Sequence, residues 1–417
     1  MGPLTGIKVL DFTRAVAGGF TTRLLCDMGA RVIKIEAPEV GERIRYAGTD
    51  DVRVGRAMVP QMSPMFIHSN AGKESICVDM ARPGAVELLK RLVAQVDVVV
   101  ENFTPHVMRK YGLTYNDLKA VRPDLVMCSI TGFGQEGPLA DHVAVDASIQ
   151  AISGMAFLAG EADGYPVLAG NGIADTLSAV MAALAIVSAL YHRALTGQGQ
   201  YIDLSMMQAV LSVDCNATPI YAATRGDYHA QRDIRSHFLL VPWGVFKGPK
   251  GRYFAMLADW TRLCQVMGRP ELIEDPRFAT NEARIKNKDL VHDIIEEFLQ
   301  GFEDDEAAFQ ALIEGKVPAA PVLSPWEAIQ HPQMQGRGAV RDVPYPGGVT
   351  IPTVATPLHF SATPIKVGRA PFVGEHNEKV LTELLGLPQD QIAALYDQGV
   401  LFRDPSVQAW LEAESGD

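Results

Sequence analysis

Short apolar runs, each followed by glycine or other small residues, punctuate the first half of the chain: IKVLDFT (residues 7–13), RVIKIEA (31–37), DVVVENF (97–103) and LVMCSITGFG (125–134). Runs of this length without polar alternation fit strands buried on both faces of a sheet. Between them lie helix-period stretches at 21–28 and 83–95, and a third opened by Thr114 with Asp117 three residues on, stopped before Pro123. Thr followed by an acid at that spacing is the capping-box pattern, and the residue before a proline disfavours helix. Strand, small-residue turn, helix and strand in close succession form a βαβ unit, whose strands pair in parallel. The expectation over residues 1–205 is a doubly wound α/β domain.

The longest apolar stretch is PVLAGNGIADTLSAVMAALAIVSAL (166–190). Gly170 and Gly172 form a bend, Asp175 follows, and residues 176–191 carry no formal charge. Asp175 has two readings: an N-cap for the helix, or a carboxylate held for chemistry. The helix is rich in alanine, contains Ser178 and Ser188, and falls short of the roughly twenty apolar residues a bilayer requires. It is expected to be a core helix.

After residue 205 the periodicity weakens, and a linker is expected at 206–230. GVFKGPKGRYFAML then predicts a hairpin through Pro249, Lys250 and Gly251, followed by helices at 259–267, 281–299 and 303–314 and the proline-rich VPAAPVLSP. This is a small α+β domain at 231–325. Residues 326–417, with strand-like VTIPTV and a helix near 378–385, have too little pattern for a core of their own and are expected to return to the first domain.

Composition limits the chemistry. A net charge of −12 argues against nucleic acid or an anionic membrane surface as partner. The five cysteines are odd in number, dispersed and without a CxxC pair, so no metal site or disulfide framework is expected, and the N-terminus has no secretory pattern. These features suggest a cytoplasmic protein. No GxGxxG follows the first strand, so no bound dinucleotide is expected.

Nine ordered stretches resemble one family, the class III CoA-transferases: LTGIKVLDFTRAVAGGF, LLCDMGARVIKIEAPEVGERIR, NAGKESICVDM, DVVVENFTPHVMRKYGL, ITGFGQEGPLADHVAVDASIQAISG, GIADTLSAV, ALTGQGQYIDLSM, VPAAPVLSPWEAIQHPQMQGRG and APFVGEHNEKVLTELLGL. The resemblance implies a Rossmann-like large domain, a smaller α+β domain and an interlocked-ring homodimer. It implies coenzyme A or acyl-CoA as substrate, with no permanently bound cofactor and no metal, and a free carboxylic acid as second substrate.

The family's nucleophilic aspartate falls on Asp175. A carboxylate suits this role because it attacks a thioester to form an anhydride, which CoA reopens to an aspartyl thioester. The helix start is expected to keep Asp175 ionised. CoA-binding positions fall on Ala17, Lys73, Asn102, Phe103 and Lys110, with the lysines expected to face phosphates and the Asn-Phe pair to hold adenine. Val16, Gly132 and Phe133 fall where the family meets its reacting groups. Val16, Thr131 and Phe133 replace the Gln, Lys and Tyr of formyl-CoA transferases, which argues against formyl or oxalyl transfer. Arg43, Arg45, Arg53 and Arg56, with Arg14 and His68, offer cations for a second carboxylate, so short dicarboxylic acids are the expected substrates, with transfer either between molecules or inside one molecule. The alternatives are an α-methylacyl-CoA racemase-like isomerase, whose family places histidine where Val145 stands before Asp146, and a non-catalytic acyl-CoA-binding protein.

Overall fold

The structure, a computed structural model, describes residues 1–38, 41–47, 59, 61–161, 163–170, 172–228, 232–405 and 407–409. The chain forms two compact units. One comprises Met1–Ser153, Gly170–Val213 and Gln333–Asp417, and the other Gly154–Ala169 and Asp214–Pro332. The expected linker at 206–230 is instead largely helical, at Met206–Val213 and Ala217–Ala223.

The first unit is built on six parallel strands: β1 (Lys8–Asp11), β2 (Arg31–Glu36), β3 (Glu74–Cys77), β4 (Val98–Glu101), β5 (Val126–Thr131) and β6 (Tyr201–Ser205). Their order, β3-β2-β1-β4-β5-β6, reverses direction between β1 and β4, with Leu10 facing Ile33 on one side and Val99 on the other. In such sheets ligands collect at this switch, beyond the carboxyl ends of the strands. The residues in β1, β2, β4 and β5 are almost all buried, which is why these strands read as unbroken apolar runs.

Seven helices of this unit surround or flank the sheet: α1 (Ala17–Asp27), α2 (Pro64–Asn70), α3 (Ala85–Val93), α4 (Pro105–Tyr111), α5 (Tyr115–Lys119), α6 (Asp146–Ile152) and, after α7 (Met155–Leu158) of the second unit, α8 (Ile173–Thr196). Leu88, Leu89, Leu92 and Val93 of α3 pack on one face with Leu10, Ile33 and Val99. Each such side chain contributes about 1.5–3 kcal/mol by leaving water. On the other face, α1 and α8 pack closely because both present small residues. Ser178, Ala179, Ala182 and Ala183 of α8 are buried, and Thr21 Oγ1 of α1 donates to Ala179 O at 3.4 Å. By length and composition α8 is apolar enough to cross a membrane, yet in this fold that composition serves helix and sheet contacts.

Beneath the carboxyl end of β1 lies a buried polar network. Asp11 accepts hydrogen bonds from Thr13 N and Oγ1 at 2.8 and 2.6 Å, from Thr22 Oγ1 at 2.7 Å and from Lys73 Nζ at 2.9 Å. Lys73 Nζ also donates to Gly19 O and Asn70 Oδ1. Burial works against the Asp11 charge, but Lys73 and Lys34 outweigh it and hold the carboxyl below its usual range. Burial, with the nearby Lys34 charge, pulls the Lys73 ammonium down to about 8 against the attraction of Asp11, so the pair is charged at neutral pH.

The C-terminal return closes the open edge of β3. His376 N donates to Ser75 O, Phe402 N to Cys77 O, and Cys77 N to the Asn377 side chain, while Gly72 N reaches Arg369 O. Val380, Leu381, Val400 and Leu401 complete the core under α3.

In the second unit, β7 (Trp243–Lys247), β8 (Tyr253–Leu257) and β9 (Ala319–Pro321) form an antiparallel sheet that includes the expected hairpin. Phe246, Phe254, Leu263, Ile295 and Leu312 fill its core. The helix expected at 281–299 is two, Asn281–Lys286 and Lys288–Gln300, because Asn287 leaves helical geometry and turns its amide back to Ala283 O at 2.9 Å.

Removing one partner of a buried ion pair strands the other, so Lys73→Ala should cost about 3–5 kcal/mol. Chemical denaturation of the two proteins checks this. A variant of near wild-type stability but weakened CoA affinity would instead place Lys73 at a phosphate.

Candidate active site

Across the switch point, the turns after β1 and β4 are tied together. Arg14 N donates to Asn102 Oδ1 at 2.8 Å, and Asn102 Nδ2 donates to Arg14 O at 2.7 Å. Lys34 Nζ holds Thr13 O at 2.7 Å from below, and the Arg14 guanidinium lies over the Phe103 ring at 5.2 Å. Between these anchors Ala15 has φ of 56°, a left-handed conformation costly for a residue with a Cβ. The turn after β4 is fixed by Glu101, which accepts from Phe103 N at 2.8 Å and whose own carboxyl burial pushes up to about 7.

Asp175 is not the N-cap of α8. Gly172 occupies that position with φ of 78°, and Asp175 is the third helical residue. The cap comes from elsewhere: Oδ1 of Asp146, at the start of α6, accepts from Ala174 N at 2.7 Å and from Asp175 N at 3.3 Å. Its Oδ2 accepts from buried Gln150 Nε2 at 2.8 Å, and the same amide reaches Gly170 O. With the helix end satisfied by Asp146, the Asp175 carboxylate has no hydrogen-bond donor among the described residues. Burial and the neighbouring Asp146 charge push its carboxyl up to about 6. The expected ionising influence of the helix end is thus offset by a second acid placed against it.

Asp175 and Asp146 line a cavity of about 190 Å³ together with Ala15, Ala17, Asn102, Phe103, Gly132 and His142. A Cβ on Gly132 would stand 2.2 Å from Ala144 Cβ, so glycine is what lets the 140–145 wall approach the end of β5. The amino ends of α1 and α8 both face this space through Ala17 and Asp175, which favours negative charge there. Behind Phe103 lies a second cavity of about 130 Å³, lined by Phe12, Arg14, Ile35, Pro38, Met80 and Tyr111.

The sequence-derived residues therefore divide. Asp175, Ala17, Asn102, Phe103 and Gly132 converge on one cavity. Val16 caps α1 beside it, Lys110 is exposed at the end of α4 over Tyr111, and Phe133 lies outside the lining. Lys73 is fully buried on Asp11, so its ammonium has no surface to offer a phosphate. Arg45 is likewise committed: it pairs bidentately with Glu36 at 2.6 and 2.8 Å and stacks on Phe66 at 3.7 Å. His68 stacks on Phe20, and burial with the Arg23 charge lowers its pKa, which removes it as a cation. Arg43 is exposed, away from the cavity lining, and Arg53 and Arg56 lie outside the described residues.

A larger open cleft of about 670 Å³ in the second unit includes Asp233, Arg235, His237 and Trp243. Its polar groups are occupied internally, Asp233 by Lys288, Arg235 by Asp289 and His237 by stacking on Trp243. The smaller cavity joins two helix amino ends to a carboxylate that has no hydrogen-bond donor among the described residues.

Residues 4–377 match the family described as CoA-transferase family III, and the chain belongs to it. It is a class III CoA-transferase. It is similar to a succinate–glutarate CoA-transferase of Agrobacterium fabrum, with 37% identity over 92% of this chain and 96% of that one. Similarity extends to a succinyl-CoA–D-citramalate CoA-transferase of Chloroflexus aurantiacus, 33% identical over 96% of this chain and 98% of the relative. Among solved structures, a CAIB/BAIF family protein from Brucella suis aligns with a TM-score of 0.79 and 36% identity, covering 92% of this chain and 99% of that one.

The two-acid arrangement has a measurable signature. Asp146→Asn keeps an oxygen for the α8 cap but removes the charge, so the Asp175 carboxyl, titrating near 6 in the wild type, should move to lower pH. Carboxyl ¹³C shifts followed against pH check the direction. An unmoved titration would mean that burial alone raises it.

Proposed function

We propose that the protein transfers CoA between short dicarboxylic acids through covalent intermediates on Asp175. The observation that carries this reading is a half-buried carboxylate without a hydrogen-bond donor among the described residues, standing at a helix amino end in the cavity at the switch point. The Asp175 carboxylate attacks the thioester carbonyl, and the acyl–sulfur bond breaks to release CoA thiolate. Thiolate then attacks the Asp175 carbonyl of the mixed anhydride, forming the aspartyl-CoA thioester and freeing the first acid. The second acid repeats the steps in reverse order and leaves as its CoA thioester, restoring the carboxylate. No oxidant, metal or nucleotide triphosphate enters this balance. Backbone N–H groups at the start of α1 are the donors for the oxyanions, since those of Ala174 and Asp175 in α8 are held by Asp146.

Ala17 borders the thioester end of CoA, and Phe103, between the two cavities, offers its ring to the adenine or the pantetheine chain. The Asn102 amide is committed to the Arg14 backbone, so its contribution is to hold the two turns together. Exposed Lys110 and Arg14 are the cations available for phosphates. A dicarboxylic substrate is supported by the relatives named for succinate, glutarate and citramalate. A racemase would need a proton carrier where Val145 stands. A homodimer completes the reading, supported by the apolar stripe of Val180, Leu184, Tyr191 and Leu195 that α8 leaves exposed for a second copy to cover.

Asp175→Ala should lower transfer roughly 10³-fold or more while leaving the fold intact. Hydroxylamine added during turnover with succinyl-CoA should leave a hydroxamate on Asp175, located by peptide mass spectrometry. A hydroxamate on another residue, or full activity in the variant, would sink the mechanism. Because the nucleophile must be ionised, kcat/KM should rise through pH about 6 and then level off, following the Asp175 carboxyl.

A further inference from the structure

A dicarboxylic substrate brings two negative groups into a cavity that already contains Asp146 and Asp175. The reacting carboxyl is accommodated by the amino end of α1, but the distal carboxylate needs a separate countercharge, since desolvating it beside two acids is costly. Of the basic residues expected for this task, Arg45 is spent on Glu36, His68 lies against Phe20 and Arg43 stands away from the cavity lining, while Arg53 and Arg56 lie outside the described residues. Arg14 lines the neighbouring cavity behind Phe103, not the one that contains Asp175.

Among the described residues lining the Asp175 cavity, His142 is the one side chain that can carry positive charge. It sits on the wall formed by residues 140–146, opposite in chain order to the α8 start that supplies Asp175. That wall is anchored on both sides of His142. Arg109 of α4 donates to Asp141 at 3.1 Å, and Asp146 is bound to the α8 amino end and to Gln150. His142 N closes a turn onto Leu139 O at 2.9 Å, while its imidazole makes no hydrogen bond with a described residue. An imidazole able to donate an N–H is thus left unengaged at the rim of a small space whose other side chains are apolar, acidic or neutral polar.

We infer that His142 is the specificity-determining residue of this site, binding the distal carboxylate of a dicarboxylic acid while the other carboxyl reacts at Asp175. The inference rests on the dicarboxylate reading above and adds the group that enforces it. It also accounts for the exposure of His142, which has to meet a ligand that arrives from solvent.

The test compares glutarate with pentanoate, acids of equal chain length that differ in the second carboxylate, using succinyl-CoA as common donor. Any effect on the donor half-reaction cancels in the ratio of the two kcat/KM values. His142→Ala should lower the glutarate-to-pentanoate ratio about tenfold, mainly through the KM for glutarate, as expected for loss of a charged hydrogen bond. His142→Lys should restore most of the ratio, which a role in wall packing would not produce. A wild-type preference that survives in His142→Ala, or a lysine variant no better than alanine, overturns the assignment to His142 alone. If the wild type itself does not prefer glutarate, the dicarboxylate reading falls, and this inference falls with it.

Discussion

The buried ion pair between Asp11 and Lys73 is the interaction on which the site's geometry depends. Asp11 ends β1 and holds Thr13 and Thr22, while Lys73 binds a carbonyl of α1 and the end of α2. One charge pair therefore sets the relative positions of the first strand, the first helix and the segment leading into β3. Such a pair is a poor source of net stability, because each ion gives up its hydration. Its effect is positional: the loop from Thr13 to Ala17 has no freedom to drift, and its left-handed Ala15 is held by contacts made elsewhere. The Asn102 clamp then transmits this rigidity across the switch point to Phe103.

A second acid performs the corresponding task for Asp175. Asp146 satisfies the exposed amides of α8, which a side chain within the helix would otherwise have to do, and so leaves Asp175 uncommitted. The same negative charge raises the affinity of Asp175 for a proton. A carboxylate of higher basicity is the better nucleophile toward a carbonyl carbon, provided it remains ionised at the working pH. Capping and tuning are thus one placement.

What could be read from the residues depended on whether the controlling contacts were local. The buried strands, the Thr114–Asp117 capping box and the 243–257 hairpin are short-range features, and they appear in the structure close to where periodicity and turn chemistry put them. The family motifs brought Asp175, Ala17, Asn102 and Phe103 to one cavity, although the pattern of Asp175 followed by an apolar helix suggested a self-capping acid. Its replacement by Asp146 could not be seen, because the capping acid lies 29 residues upstream with no periodic relation to the helix. Lys73 and Arg45 lie away from their expected places for a related reason. A cation next to glycine or in a loop usually faces solvent, and only tertiary structure reveals Asp11 and Glu36 waiting for them. The strand β3 passed unnoticed because Glu74–Cys77 is four residues long and begins with a charged residue.

The seal on β3 has a consequence for biogenesis. The backbone groups that cover this edge belong to residues 374–402, which leave the ribosome only after the entire second unit has been made. During synthesis the first two hundred residues carry an unpaired strand edge and an incomplete core under α3, a combination open to intermolecular pairing. Loop-closure entropy grows only slowly with the length of the intervening chain, so the long wait costs little at equilibrium. Its cost is in time: the unit that contains Asp175 is the first to be started and the last to be finished.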